Sequence, residues 1–543
     1  MWQTRTLPFR GVRQGMNATS YATELAPHQC ALIRNFHLAK EGVLVSRGGS
    51  LRISDTALAS AIKGGHGFYK HNTNGTVTRY TLAKSGTTLY QFNTSTLVFD
   101  AIAGTPTMGT AKPCMVNFLN GSGAECVVYC DGTAFFMWDG TTVTSLMTPW
   151  QAAGFTNAPR YLCVYADALF AAGDSYNPSL VAYSADLDPT YWGSTAVFYV
   201  DPGDGYQIRG LCAWYENLAI AKERSISLVT GKDRTQFAKF RISPSIGAFS
   251  HWGMKGVGHH LYFNDDANIY LGTLRALAED GLEVTSIGDS MATRYDTKAE
   301  GSAYEMTCMH MPADEELMWT VMSGDSTTYD ELYVYSLKHS SPDMGRGPQG
   351  VDVRYVWAGV WTGLDVHSVA MIEDANGALV CHAFGADGYV AQLNNGYKDN
   401  RAVGATTGTD ITFEIHHGEI FLLSSANNAR VRRIFPALYQ KYNGTMTAEW
   451  IIDQSVRHPA TPVAVKFTGN IPYWNDGNDP DIMSQWGSTI WKDRPFLRAA
   501  ITVNEMAGTF QLILLNNDDG AQNECAFAGY AMTYQIKKAR VRG

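Results

Sequence analysis

The sequence is poor in charge, in long apolar runs and in helical periodicity. Charged residues make up 17% of the 543 residues, below the roughly 25% typical of soluble domains. No run of about 18 apolar residues occurs, and the N-terminal MWQTRTLPFRG lacks an apolar signal core. We therefore expect no membrane span and no secretory signal.

The nine cysteines have no regular spacing. Their number is odd, and Cys126 and Cys130, four residues apart, have no second pair at the distance of a zinc motif. This pattern predicts buried free thiols in a protein that folds in a reducing cytoplasm.

The net charge is −9. A protein that binds DNA without sequence preference needs a basic face that releases phosphate counterions, so the charge argues against that class. The same negative charge is compatible with an acidic wall that repels phosphates and lets DNA slide past.

Aromatic residues, by contrast, reach 12%, and there are 52 glycines. Runs of four to eight alternating residues are bounded by Gly, Asn, Asp and Ser, which is typical of short strands and tight turns. Only Ala57 to Lys63 and Thr273 to Gly281 have helical patterns. We predict an all-β chain.

Seven of the strand-like runs resemble one another. If one residue marks each run, the intervals are 46, 46, 46, 42, 63 and 57 residues; the marks are Tyr90, Phe136, Ala182, Leu228, Tyr270, Tyr333 and Val390. Periods in the forties are typical of four-stranded propeller blades. We predict a β-propeller of about 6–8 blades over residues 51–425, with a pair of β-sandwiches as the alternative.

The flanking segments have a different character. Residues 426–543 contain strand patterns around a long loop, Asn470 to Trp491, and predict a C-terminal β-sandwich. Its basic tail contains Lys537, Lys538, Arg540 and Arg542. We expect these side chains to contact an acidic partner subunit, with solvent or DNA as the alternatives. Residues 1–50 are expected to close the propeller or to contact a neighbour.

No pattern in the chain indicates chemistry. His259–His260 and His416–His417 are adjacent pairs whose side chains point to opposite faces of a strand, so neither pair chelates one metal. The acidic groups are interpreted as exposed loops; they are Asp289, Asp296, Glu300 and Glu305, and Asp314, Glu315 and Glu316. Asn475 to Asp481 and Asn516 to Gly520 lack the calcium-loop order. We predict no catalytic, cofactor-binding or metal-binding residues, no cofactor and no enzymatic activity.

Three stretches resemble a phage family. They are Glu24 to Gly49; Ser184 to Asn264, which includes Asp201-Pro-Gly-Asp-Gly205, Ile208-Arg-Gly-Leu211 and Lys222-Glu-Arg224; and the Arg430–Arg433 strand with the closing strand. Their order is similar to that of the podovirus-type tail nozzle, tail tubular protein B and DNA-stabilisation propellers. The resemblance implies a propeller in a six-fold ring of the tail or neck.

The expected function is therefore that of a structural virion protein in a bacteriophage tail, assembled in the host cytoplasm. Its expected partners are copies of itself in a hexameric ring, portal-adaptor or other tail ring proteins, tail fibres, and DNA that passes through the lumen without sequence-specific binding. The alternative is a propeller that binds or cleaves carbohydrate, such as a receptor-binding tail protein, because exposed Trp and Tyr stack on sugars.

Overall fold

The computed structural model describes residues 2–39, 42–72, 74–274, 281–340, 355–422, 429–440, 445–454, 457–466, 497–498, 500–516 and 525–537. Within them the chain consists of strands and turns, with two short helices, α1 (Met147–Ala152) and α2 (Ala292–Tyr295), and 3-10 turns at Asp289–Met291 and Ser302–Glu305. The prediction of an all-β chain is confirmed. No helix in these ranges is long and apolar enough to cross a membrane.

The helix predicted at Ala57 to Lys63 is wrong. The chain bends there, and a strand begins at Ile62 because that residue pairs with Ser85. Short apolar runs do not distinguish a helix from a buried strand, and the pairing decides. Of the other predicted helix, Thr273 and Leu274 belong to a strand, and residues 275–280 lie outside the described ranges.

Five strands precede the first blade. They are β1 (Trp2–Gly11), β2 (Cys30–Arg34), β3 (Phe36–Leu38), β4 (Leu44–Ser46) and β5 (Ser50–Arg52).

Five separate four-stranded antiparallel sheets follow, each made of consecutive strands. Blade 1 contains β6 (Ile62–His71), β7 (Val77–Ser85), β8 (Thr88–Asn93) and β9 (Val98–Ala101); blade 2 contains β10 (Cys114–Leu119), β11 (Glu125–Cys130), β12 (Phe135–Trp138) and β13 (Val143–Ser145). Blade 3 contains β14 (Tyr161–Tyr165), β15 (Ala168–Ala172), β16 (Leu180–Ala185) and β17 (Asp188–Tyr199). Blade 4 contains β18 (Ile208–Trp214), β19 (Asn217–Lys222), β20 (Ile226–Thr230) and β21 (Ala238–Ser243); blade 5 contains β22 (Lys255–Val257), β23 (His260–Asn264), β24 (Ile269–Leu274) and β25 (Leu282–Ser286).

Blades 6 and 7 share one long strand. Their strands are β26 (Cys308–Met311), β27 (Glu316–Val321), β28 (Tyr329–Ser336), β29 (Trp357–Glu373), β30 (Leu379–Gly385) and β31 (Val390–Leu393). The first half of β29 pairs with β28 as the outer strand of blade 6, and its second half pairs with β30 as the inner strand of blade 7. The N-terminal β5 pairs with β31 and completes blade 7.

The inner strands form a closed ring. β6, β10, β14, β18, β22, β26 and β29 contact one another in this order, and β29 contacts β6. The protein is therefore a seven-bladed propeller, within the predicted range of blade numbers. Each of the seven residues that marked the sequence repeat lies on the third strand of its blade.

The propeller core lies in layers between neighbouring blades. On β11, Val127 and Tyr129 pack with blade 1 residues such as Phe68, whereas Val128 and Cys130 pack with blade 3 residues such as Leu169. Successive side chains on a strand point to opposite faces. Middle strands are therefore apolar on both faces. For this reason the sequence of β11 is a nearly continuous apolar run.

The strands after blade 7 build a second region. They are β32 (Lys398–Asp399), β33 (Thr409–Asp410), β34 (Phe413–His417), β35 (Ile420–Phe421), β36 (Ala429–Gln440) and β37 (Thr445–Ile452). The last are β38 (Arg457–Lys466), β39 (Leu497–Arg498), β40 (Ile501–Ala507), β41 (Thr509–Asn516) and β42 (Cys525–Lys537).

Two sheets of this region face each other as a β-sandwich. One contains β2, β34, β41, β37 and β38, and it continues the sheet of blade 6 because β2 pairs with β29. The other contains β1, β3, β4, β36, β39, β40 and β42. The ring of His417 in the first sheet contacts the rings of Phe527 and Tyr530 in the second.

The sandwich takes strands from both ends of the chain. β1 pairs with β42 from Trp2↔Lys537 to Gly11↔Gly529. The sandwich also contains β34, which lies within the range 51–425 that we predicted for the propeller. The observed regions thus differ from the predicted boundaries, because pairing across the whole chain joins residues that sequence order separates.

Candidate functional site

A small pocket lies where the inner strands of the propeller meet. Its volume is about 210 Å³, and its walls include Gly64 of blade 1, Cys114 of blade 2, Thr307 beside blade 6 and Ser368 of blade 7. Pockets for small-molecule ligands typically measure about 300–1,000 Å³. The pocket is therefore too small for a nucleotide or an oligosaccharide.

One wall of the pocket carries a thiol held by several donors. His251 Nε2 lies 3.2 Å from Cys114 Sγ, the Leu162 N–H donates to the same sulfur at 3.3 Å, and Cys130 is the cross-strand neighbour. Hydrogen bonding from Cys130 and then the charge and hydrogen bond of His251 lower the pKa of Cys114, against the effect of burial. Burial raises the pKa of Cys130.

The tautomer of His251 limits what this pair does. The Leu211 N–H donates to His251 Nδ1 at 3.2 Å, so in the neutral ring the proton lies on Nε2 and faces Cys114. The imidazole then stabilises a thiolate and accepts no proton from a thiol. A catalytic Cys–His pair needs the imidazole as the base, so this geometry does not add support for catalysis.

A buried lysine fills the space beside the pocket. Lys112 Nζ donates to the Glu305 carbonyl and the Thr307 hydroxyl at 2.6 Å, and to the His367 carbonyl at 3.0 Å. Burial lowers the pKa of Lys112 to about 7. Because its donors are used by groups at the inner ends of blades 6 and 7, this lysine joins blade 2 to them.

The stretch that carries the family resemblance forms one polar cluster between blades 3 and 4. Lys222 is fully buried, and its Nζ donates to Asp204 Oδ1 at 2.8 Å and to the Asp201 carbonyl at 3.0 Å. Although partial burial opposes the effect, the hydrogen bond from Lys222 lowers the pKa of Asp204. Glu223 pairs with Arg209 at 2.5 Å. Lys222 thus anchors the Asp201–Gly205 turn, whereas the Glu223–Arg209 pair lies within blade 4.

Exposed aromatic side chains lie on the outer strands of the two blades beside this turn. Tyr191 and Tyr199 on the outer strand of blade 3 are 59% and 56% exposed, and Phe240 on the outer strand of blade 4 is 55% exposed. Lys239 Nζ donates to the Tyr199 carbonyl at 2.6 Å and ties the two outer strands together. We call Tyr191, Tyr199, Phe240 and the Asp201–Gly205 turn the blade 3–4 rim.

The histidine pairs singled out in the sequence occupy four different environments. His259 is exposed against the Tyr215 ring, and His260 faces Thr273. His416 pairs with Glu414 at 2.6 Å, whereas its neighbour His417 is buried in the sandwich. Neither pair is brought together as a chelate.

The acidic groups do not share one environment either. Asp289, Asp296, Glu300 and Glu315 are exposed, and Glu305 is half-buried and pairs with Arg160. The interpretation of Glu316 as a loop residue is wrong, because it begins β27, is 1% exposed and pairs with His37. Sequence reasoning missed this residue because strand pairing buries it.

Other predicted features fall where the structure gives no description. The Asn470 to Trp491 loop, the Asn475 to Asp481 cluster and the tail residues Lys538, Arg540 and Arg542 lie outside the described residues. The eight cysteines whose side chains the structure describes are free thiols, and all of these but Cys212 are buried.

No family model and no curated protein matches this sequence. The N-terminal domain of Nup159 is similar in structure, with 10% identity and a TM-score of 0.36, over 67% of this chain and 98% of that chain. PorZ, a surface component of the type IX secretion system of Porphyromonas gingivalis, has 13% identity and a TM-score of 0.36, over 62% and 38%. BBS1N, solved in complex with ARL6DN, has 9% identity and a TM-score of 0.28, over 64% and 96%. Similarities this weak carry no argument, and the fold rests on the strand pairing.

Proposed function

We propose that this chain is a non-catalytic structural subunit of a bacteriophage tail or neck, and that copies of it form a ring around the DNA path. The observation that carries the proposal is the blade 3–4 rim. Interfaces are enriched in aromatic residues, and this rim presents Tyr191, Tyr199 and Phe240 to solvent.

The rim is also held by internal hydrogen bonds, which favours assembly. Its turn is fastened by the buried Lys222, and its two outer strands are joined by Lys239. Surfaces that are ordered before association lose less entropy on binding. A neighbouring subunit therefore meets a preformed surface.

In this proposal the DNA passes between subunits and not through a propeller. The pocket at the propeller centre measures about 210 Å³ and is flanked by Lys112 and Trp252, whereas the major groove of B-DNA alone is about 12 Å wide. A conduit for a duplex must then be enclosed by the ring. The net charge of −9 is compatible with passage without binding.

The test is the state of assembly of the full chain. We expect the wild-type protein to form rings, alone or with portal-adaptor partners, in negative-stain images and light scattering. The double variant Tyr199→Glu/Phe240→Glu is expected to stay monomeric because it places charge in the contact. Tyr21→Glu is the control, since Tyr21 is 81% exposed and lies beside the sandwich, where the Glu419 N–H donates to the neighbouring Ala22 carbonyl. A wild-type protein that stays monomeric with those partners contradicts the proposal.

The exposed tyrosines give the carbohydrate alternative a specific observation as well, because Tyr side chains stack on sugar rings. A glycan array and a reducing-sugar assay on host envelope material distinguish the two. Binding that Tyr199→Glu/Phe240→Glu abolishes, from a protein that forms no ring, favours a receptor-binding protein over a ring subunit.

A further inference from the structure

A histidine of the sandwich meets two carboxylates of blade 6 at the junction between the regions. His37 lies on β3, Asp314 in the turn before β27 and Glu316 at the start of β27. One ligand atom from each side chain lies within 4.8 Å of the others. We propose that His37, Asp314 and Glu316 bind a Zn²⁺ ion.

Glu316 supplies the strongest reason. Its side chain is 1% exposed, and its Oε2 lies 2.7 Å from His37 Nδ1. Its other oxygen, Oε1, is buried and has no hydrogen-bond partner. Buried carboxylate oxygens are normally satisfied, because a desolvated and unpaired charge is costly. A cation bound here would satisfy this oxygen.

The ring of His37 is oriented as a metal ligand would be. Its Nε2 lies 3.4 Å from Asn394 Oδ1, and its edge packs on the Trp361 ring at a centroid distance of 4.7 Å. Histidines that bind metals almost always donate the other ring N–H to an oxygen. When an ion replaces the proton that Nδ1 shares with Glu316, His37 would keep a proton on Nε2 and direct the lone pair of Nδ1 towards the ion.

The charge of the three groups suits a divalent ion. Two carboxylates and a neutral imidazole carry two negative charges, which Zn²⁺ neutralises. Zinc takes nitrogen and carboxylate ligands at ~2.0–2.2 Å, and a site with three protein ligands leaves one position for water. Zinc would replace the proton between His37 Nδ1 and Glu316 Oε2. These two atoms, now 2.7 Å apart, must then move slightly away from each other to admit the ion. Because Asp314 lies in a half-buried turn, it can move towards the ion.

The proposed ion would join the sandwich to the propeller. It connects β3 to β27, with Asn394 of the blade 7 end as an outer partner. This inference does not depend on ring assembly, and a monomeric protein would bind the ion equally well.

The test uses the full chain, freed of metal with EDTA and titrated with Zn²⁺ alone. We expect one equivalent to bind by calorimetry, with a rise in Tm and slower amide exchange in β3, because a ligand specific for the native state stabilises it. Glu316→Gln and Asp314→Asn should each weaken binding by at least about 10–100-fold, a loss that outer partners alone produce.

His416→Gln is the matched control. His416 pairs with Glu414 at 2.6 Å, a geometry like that of His37 with Glu316, but it belongs to no three-ligand group among the described residues. This variant should bind zinc as the wild type does. Lack of zinc binding by the wild type, or an equivalent retained by Asp314→Asn and Glu316→Gln, overturns the proposal. If Glu316→Gln does not fold, Asp314→Asn decides alone.

Discussion

Blade 2 and the sandwich are both antiparallel β-structures, but they join very different stretches of chain. Blade 2 runs from Cys114 to Ser145, and each strand pairs with the next. The sandwich pairs Trp2 with Lys537 and Cys30 with His417. Distant pairing must offset a larger loop-closure entropy. The comparison teaches that a blade depends on its local sequence, whereas the sandwich depends on the rest of the fold.

The two regions nevertheless share one connection. The segment from β4 to β5 leaves the sandwich and enters blade 7. Within it, Arg47 is 3% exposed, and its guanidinium binds Asp399 through both oxygens, at 2.9 and 2.5 Å. It also donates to the Thr362 carbonyl on β29 at 3.0 Å. This ion pair therefore links the folding of the two regions.

Breaking that link should have the largest effect. We expect Arg47→Met to lower the free energy of unfolding by about 3–5 kcal/mol, because Asp399 is left buried without a cation. Urea denaturation followed by fluorescence measures the loss. Arg47→Met/Asp399→Asn should recover part of it. Amide exchange that rises in only one region would show that the two regions unfold independently.

Acid should destabilise both regions through one buried histidine in each. Burial lowers the pKa of His417 in the sandwich to about 3, with smaller contributions from Arg10 and His416, and it lowers the pKa of His382 in blade 7 to about 4. The unfolded chain binds these protons near pH 6.5 and the native protein does not. Stability is therefore full above pH 6.5 and falls towards pH 4.

We expect each histidine to account for about 3 kcal/mol of the loss between pH 6.5 and pH 4. His417→Leu and His382→Leu should each flatten the pH dependence of the unfolding free energy, measured by denaturation at several pH values. His259→Leu, at an exposed site, is the control. An unchanged slope in both buried variants would contradict this account.

The smallest expected effect concerns the one strand of the propeller that is distant in sequence. Next to β5, the Ile53 N–H donates to the Val390 carbonyl at 3.0 Å. Ile53→Pro removes this donor and should cost about 1–3 kcal/mol, because a carbonyl loses its partner. Thermal unfolding measures the change, and Ile53→Val is the control for lost volume. A loss equal to that of Ile53→Val would mean that the hydrogen bond from Ile53 to Val390 does not stabilise the propeller.

The blades could be predicted because their signals are local. Tyr90 and Phe136, for example, lie on third strands, where turn residues precede a short run of aromatic and β-branched residues. Neither the sharing of β29 by two blades nor the entry of β5 into blade 7 has a local signal. The same holds for the candidate metal group, since His37 and Glu316 are 279 residues apart.

The sequence by itself determined that the chain is all-β and that it repeats a four-stranded unit. These properties follow from side-chain alternation and turn residues, which act over a few positions. Only the tertiary structure decided how the ring closes, which strands join the two ends into a sandwich and which polar groups become buried neighbours. Those outcomes depend on pairing between residues hundreds of positions apart, and no local pattern encodes such pairing.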